Sequence, residues 1–353
     1  MKSFFTYLLA ASSLLFMVNS ITGQDVIETV TIVESDTPTF TFSGSVDAYF
    51  RTNLGGDFDV VPNTSFANRP GFALGFANLI AAHEGDKVGF TADLVFGPRG
   101  EDAVFASPFN APGRGSSQIV NQLFAYWNVS DNVTLTLGNF NTFLGYEVIS
   151  PTANFNYSTS YAFSWGPFSH TGLKADFSFD GGFSAMVGIF NPTDITEFNL
   201  TNDYVFGAQL GYEFGNGGAW LNFIYDEENS FTQFDITAGW DLTDALYFGL
   251  NATTASDAFS GAAVYLQLAT SDSFKIGGRL EYFRDDSGGI LGIPEAIGSG
   301  DVIDFTISGN YNIGSLTLIP EFRIDIASED VFPDDADLGS SLTSFVLAAV
   351  YAF

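Results

Sequence analysis

Apolar and polar residues alternate along most of this chain in short runs bounded by Gly, Asn, Asp and Ser, the period of two that marks strands with one greasy and one wet face. Such runs occur near 39–51, 71–82, 87–97, 118–129, 132–140, 171–179, 183–191, 204–214, 219–226, 232–241, 246–254, 260–269, 274–284, 302–312, 316–327 and 341–353, about sixteen in all. The links between them alternate as well. Those at 83–86, 130–131, 180–182, 215–218, 242–245, 270–273 and 313–315 are short and built from the residues that tight hairpins require. Longer segments lie at 52–70, 98–117, 141–170, 192–203, 285–301 and 328–340, while 227–231 and 255–259 are shorter than the pattern asks. An even strand number, with short turns at one end and long loops at the other, predicts an all-β fold: a closed, antiparallel transmembrane β-barrel with its short turns in the periplasm.

On several strands the charges share one parity and the bulky apolar residues the other, which assigns the lumen face. Glu321, Arg323 and Asp325 alternate with Phe322, Ile324 and Ile326. Asp304, Thr306, Ser308 and Asn310 oppose Ile303, Phe305, Ile307 and Tyr311, and Lys174 and Asp176 oppose Leu173, Ala175, Phe177 and Phe179. A basic side chain facing lipid at mid-membrane costs about 2–4 kcal/mol and an acid somewhat less, so the charged set points inward. Extending that parity predicts a pore lining of Asp47, Asp93, Lys174, Asp176, Glu213, Asp235, Lys275, Arg279, Glu281, Asp304, Glu321, Arg323 and Asp325. Acids outnumber bases in it, and the neighbours Arg279–Glu281 and Arg323–Asp325 are expected to pair within the wall. Aromatics at strand ends, Phe40, Tyr49, Trp127, Tyr212, Trp240, Tyr282 and Tyr351, suit interfacial girdles.

The first residues set the compartment. Lys2 precedes an apolar run from Phe4 to Val18 and then small or polar residues, which reads as a signal peptide over 1–23. That run is shorter than the roughly 20 apolar residues of a spanning helix. Residues 24–38 read as a periplasmic leader ahead of a barrel over 39–353; Val26 to Val33 is β-prone, but a further strand there breaks the even count. Hydrophobic residues make up 46% of the chain and the mean hydropathy is +0.18, which dispersed, alternating apolar positions explain. The formal net charge of −30 excludes a basic surface for nucleic acid or anionic lipid. The acidity is read either as solvated loops or as a conduit that favours cations.

The longest connection, 141–170, carries aromatics in place of the Pro, Ser, Glu and Lys of disordered segments, so it is expected to pack, and the space open to it is the lumen. Its residues carry a resemblance: Gly138-Asn139-Phe140, Leu144-Gly145-Tyr146-Glu147, Asn154-Phe155-Asn156-Tyr157-Ser158 and Gly166-Pro167-Phe168-Ser169-His170-Thr171-Gly172. On these the chain resembles the β-barrel porins of the OmpL-like family, which implies an outer-membrane pore and brings no catalytic residues. By its place after the fifth strand, the long third outer loop is also similar to the constriction loop of general diffusion porins. Glu147, Asn154, Tyr157, Trp165 and His170 are the candidates for such a constriction.

Chemistry of other kinds is thin. Histidine occurs only as His83 and His170, and cysteine not at all, so neither a Ser-His-acid arrangement nor a His/Cys metal centre is indicated, and no cofactor is expected. The acidic stretches Asp226-Glu227-Glu228 and Asp330 to Asp337 lack the spacing of a calcium loop and read as solvated. The expected function is therefore passive diffusion of ions and small polar solutes with a cation preference, in the outer membrane of a Gram-negative cell. The competing readings are a loop-plugged structural or adhesive barrel and, third, an outer-membrane hydrolase. Expected partners are outer-membrane lipid, the permeating solutes, the barrel assembly machinery and, by analogy with other porins, two further copies in a homo-trimer. The last run, Ser341 to Phe353, places Thr343, Phe345, Leu347, Ala349, Tyr351 and Phe353 on one parity and ends on an aromatic. It resembles the terminal signal read by that machinery, and is expected to close the barrel against 39–51 with Phe353 at the periplasmic rim.

Overall fold

The computed structural model describes residues 39–57, 61–107, 117–199, 201–227, 231–334 and 337–353; the expected signal peptide, the leader, Glu228 and Asp335 lie outside the described residues. Strands run β1 (Thr39–Gly55), β2 (Gly71–Glu84), β3 (Val88–Phe96), β4 (Val120–Ser130), β5 (Val133–Asn141), β6 (Ser169–Ser178), β7 (Phe183–Phe190) and β8 (Val205–Phe214). They continue as β9 (Gly217–Asp226), β10 (Phe231–Thr243), β11 (Leu246–Ala255), β12 (Phe259–Ser271), β13 (Phe274–Asp285), β14 (Gly300–Ile313) and β15 (Leu316–Ala327). A small hairpin, β16 (Phe332–Asp334) with β17 (Asp337–Gly339), precedes β18 (Ser341–Ala352). Each wall strand is antiparallel to its neighbours, and β18 pairs with β15 on one side and β1 on the other, closing a barrel of 16 strands.

The predicted strand order and the even count hold; the short outer connection after β11 is a tight turn, and most of the one after β9 lies outside the described residues. At the seam Ser45 faces Ala352, and Gly44 and Phe353 exchange two backbone hydrogen bonds of 3.0 Å. Phe353 thus sits at the end of the barrel that carries the short turns.

Parity sorts the side chains as the pleat demands. On β18, Leu342, Ser344, Val346, Ala348 and Val350 are buried while Leu347, Tyr351 and Phe353 are exposed, and on β14 Ile303, Phe305 and Tyr311 are exposed while Asp304 and Thr306 are not. Phe40, Trp127, Tyr212, Tyr282 and Tyr351 lie exposed on the outer face, as a girdle requires. Tyr49 does not. It shares the parity of Asp47, is buried, and packs on Tyr157 with ring centroids 5.4 Å apart.

Two irregularities matter for the interior. The β1–β2 register shifts between Val46 and Ala48, and Asp47 Oδ1 accepts the Phe76 N–H at 2.8 Å in that bulge. The β3–β4 register shifts at Asp93, and the extra residue, Asn121, turns its amide onto that carboxylate. At the long-loop end, two apolar clusters join the outer connections to the wall. One gathers Tyr161, Phe259, Phe283, Leu291 and Phe332, the other Phe66, Phe76, Val95, Ile149, Phe163 and Phe168.

Candidate functional site: the charged barrel interior

The segment from Asn141 to Ser169 leaves β5 and re-enters the wall at β6, yet its polar contacts are made far around the ring. Gly145 N–H donates to Asp235 on β10 at 3.0 Å. The Tyr146 ring stacks on Tyr265 of β12 at 4.1 Å and its hydroxyl donates to Tyr247 of β11 at 3.0 Å. A methyl group at Gly249 would overlap that ring, so the wall leaves a bare position where the tyrosine lands. Asn156 then reaches Ser308 on β14, and the Tyr157 hydroxyl reaches Asp47 on β1.

Besides Asp235, two wall carboxylates each hold the loop by a pair of adjacent backbone N–H groups. Glu321 accepts the N–H groups of Tyr157 and Ser158 at 2.7 and 3.0 Å, and Glu281 those of Tyr161 and Ala162 at 2.8 Å each. The second pair belongs to the first turn of a short helix, α1 (Tyr161–Trp165), which Ser160 caps through Phe163 N–H at 3.0 Å. A third carboxylate works the same way at the loop's exit. Asp194, in the connection after β7, accepts Phe168 N–H and Ser169 N–H on one oxygen at 2.7 and 2.8 Å. Burial lifts its carboxyl to about 6, against the pull of those two donors. Burial also raises the loop hydroxyls of Tyr146, Tyr157 and Tyr161 far above their usual range, so they stay protonated.

Beneath the loop lies a chain of ion pairs. Arg279 bridges Glu147 of the loop, at 2.5 Å, and Asp304, at 2.8 Å; Asp304 is shared with Arg323, at 2.7 Å, which also grips both oxygens of Asp325. The two guanidiniums also donate to loop carbonyls, Arg279 to Ser158 O at 2.9 Å and Arg323 to Thr159 O at 2.7 Å. Charges buried this deeply persist only when each is paired and its remaining donors are used, and here most of them are. The expected pairing of Arg323 with Asp325 is found. Arg279 pairs across to Asp304 and Glu147, while Glu281, its neighbour in sequence, is turned to the loop backbone.

Elsewhere the wall acids are held by amides. Asp93 lies between Asn78 and Asn121 at 3.1 and 2.6 Å, and Asp235 between Asn222 and Asn251 at 2.9 and 2.6 Å. Lys174 and Asp176 pair at 3.3 Å with side chains 22% and 38% exposed. Glu213 is exposed and Lys275 half-buried, both near the short-turn end. In the loop, Asn154 closes a local ring onto Val148, the exposed Trp165 donates to Asn63 O at 3.0 Å, and His170 is a buried β6 residue. His170 Nε2 sits 3.0 Å from the Thr142 hydroxyl, inside a box of Phe140, Phe143 and Phe190.

Sequence reasoning missed several interior residues. Arg51 follows the lumen parity of Asp47 and Tyr49, and was lost as a strand end. Asn78, Asn121, Asn222 and Asn251 carry no charge to flag them. Arg99, in a second short helix, α2 (Pro98–Ala103), reaches the loop at Ile149 O (2.9 Å), a contact set by loop packing alone.

Among known proteins, a family profile described as "Putative beta-barrel porin-2, OmpL-like" matches residues 39–353. No curated protein matches the chain by sequence. Solved structures share its fold. OprB of Pseudomonas putida aligns with a TM-score of 0.59 at 13% identity, over 90% of this chain and 94% of that one. The anion-selective porin of Comamonas acidovorans gives 0.57 at 12%, over 90% and 100%. The trimer form of OmpT, an outer membrane protein of Vibrio cholerae, gives 0.54 at 10%, over 90% and 100%.

Proposed function

The chain belongs to the family of OmpL-like β-barrel porins, channels of the Gram-negative outer membrane, and on that premise we propose that it passes ions and small polar solutes passively, with a preference for cations. One observation carries the preference. Asp47, Asp93, Asp235 and Glu321 point inward, and among the described residues none has a cationic partner within 4 Å; amides, hydroxyls and backbone N–H groups hold them instead. Hydrogen bonds of that kind fix a carboxylate without cancelling its charge, so the lumen potential stays negative and draws counter-ions. A planar-bilayer reversal potential under a potassium chloride gradient tests this. A cation-side potential is expected, and an anion-side one overturns the preference.

In this reading the loop between β5 and β6 is the constriction, because it leans on inward-facing groups of β1 and β10–β15. Deleting residues 148–165 raises single-channel conductance, and an unchanged conductance refutes the role. The loop's many wall contacts also favour a second reading, a plugged barrel whose outer surface binds a partner; the intact protein then shows no conductance. Assembly as a homo-trimer is proposed by likeness to the trimeric OmpT form, and mass measurement in detergent decides it.

A further inference from the structure

Basic side chains are scarce in this chain, 11 Lys and Arg against 41 Asp and Glu, and where they stand is informative. Arg279, Arg284 and Arg323 each meet a carboxylate within salt-bridge distance. Among the described residues Arg51, Arg69 and Arg99 meet none, and all three act electrostatically on the hydroxyl of Tyr49. Arg51 is buried and spends one nitrogen on Asn68 O at 3.4 Å. Arg69 is exposed, and its backbone N–H donates to Tyr49 at 3.2 Å.

Arg99 is the centre of the arrangement. It is only 3% exposed, with Nε on Ile149 O at 2.9 Å and Nη1 on Tyr157 O at 3.4 Å, while Nη2 has no hydrogen-bond partner. Its guanidinium lies 4.4 Å from the Phe66 ring centroid and 5.4 Å from that of Tyr157, so its orientation is fixed. A cleft bounded by Tyr49, Arg69, Gly75, Arg99, Asp102 and Tyr157 adjoins it, with room for about one water-sized group. The Arg99 guanidinium keeps a buried donor unspent beside a cleft whose other arginine faces solvent.

We propose that the cleft between Arg69 and Arg99 is a docking point for the carboxylate of an anionic solute, seated at the outer end of an otherwise acidic interior. One carboxylate oxygen takes the water-sized space beside the Arg99 guanidinium, and Arg69 folds over the other as a charge-assisted partner. Asp102 stands at the edge of the cleft, in the field of both arginines, and repels the same ligand. An amphoteric solute would then meet arginines first and carboxylates afterwards.

The test is calorimetric titration of the detergent-solubilised protein with succinate at low ionic strength, with dimethyl succinate as the uncharged control. It requires no conduction, so it succeeds or fails independently of the channel reading. Saturable binding of succinate alone is expected. Arg69→Ala, at an exposed position where folding is not at risk, should weaken it about tenfold, and Asp102→Asn should tighten it about threefold. Absence of saturable heat with the wild-type protein, or equal affinity in Arg69→Ala, overturns the proposal.

Discussion

Two stretches of the same wall, both charged and both inward-facing, behave differently. On β13–β15 the side chains of Arg279, Asp304, Arg323 and Asp325 are at most 5% exposed, and each grips a neighbour or the loop. On β6, Lys174 and Asp176 pair with side chains 22% and 38% exposed, and the Lys174 ammonium also lies 5.2 Å from the Phe140 ring centroid. The same residue types are thus structural where the loop covers them and solvent-facing where it does not. Charge in this lumen has to be read by what lies over it: covered charge reaches a passing ion only through the potential it sets, and uncovered charge also meets it at close range.

Removing a covered charge should have the largest effect. Arg279→Met leaves Glu147 and Asp304 buried without their shared cation, and should cost about 3–5 kcal/mol in the urea unfolding of the detergent-folded barrel. A loss below 1 kcal/mol would show that water already reaches these groups. Glu321→Gln keeps one acceptor for the Tyr157 and Ser158 N–H groups and places an amide against the other; a loss of about 1.5–3 kcal/mol, with noisier single-channel current, is expected. Gly75→Ala acts on the same loop from the wall side. Its methyl would overlap the Asp47 carboxylate and crowd the Tyr157 hydroxyl, with an expected cost of about 1–3 kcal/mol.

Acidity provides a graded version. The Asp194 carboxyl titrates near 6 in the folded protein and near 3.8 when unfolded, so between those values the folded state holds the extra proton. Its contribution to stability is therefore fullest below 3.8 and declines as pH rises through 6, by up to about 3 kcal/mol. Both loop N–H groups bind one oxygen, which leaves the other free to carry the proton without releasing them. Asp194→Asn should abolish this part of the pH dependence; an unchanged slope in that variant contradicts the assignment. The smallest effect belongs to β6. Lys174→Gln should alter unfolding by less than about 1 kcal/mol, as exposed pairs do, while moving the reversal potential further to the cation side.

Most of the barrel is legible in the sequence because one rule, a period of two set by lipid on one side, repeats in every strand. The same rule located Asp304, Glu321, Arg323 and Asp325 on one face. It failed for Tyr49, whose ring was assigned to the membrane boundary although its parity is that of Asp47. It was silent on Arg99 and Asp194, which sit between strands, where position follows from packing and not from periodicity. The amide clamps on Asp93 and Asp235 were invisible for a third reason. An asparagine on the lumen face is unremarkable until the residue across the ladder is known, and that register is a property of pairs of strands.

The manner in which Glu281 and Glu321 hold the loop bears on how the sequence can drift. They bind the N–H groups of Tyr157, Ser158, Tyr161 and Ala162, which every amino acid except proline supplies. This hold does not read side chains, so residues elsewhere along the loop can change over generations without loosening it, and the two glutamates make the loop's path heritable separately from its chemistry.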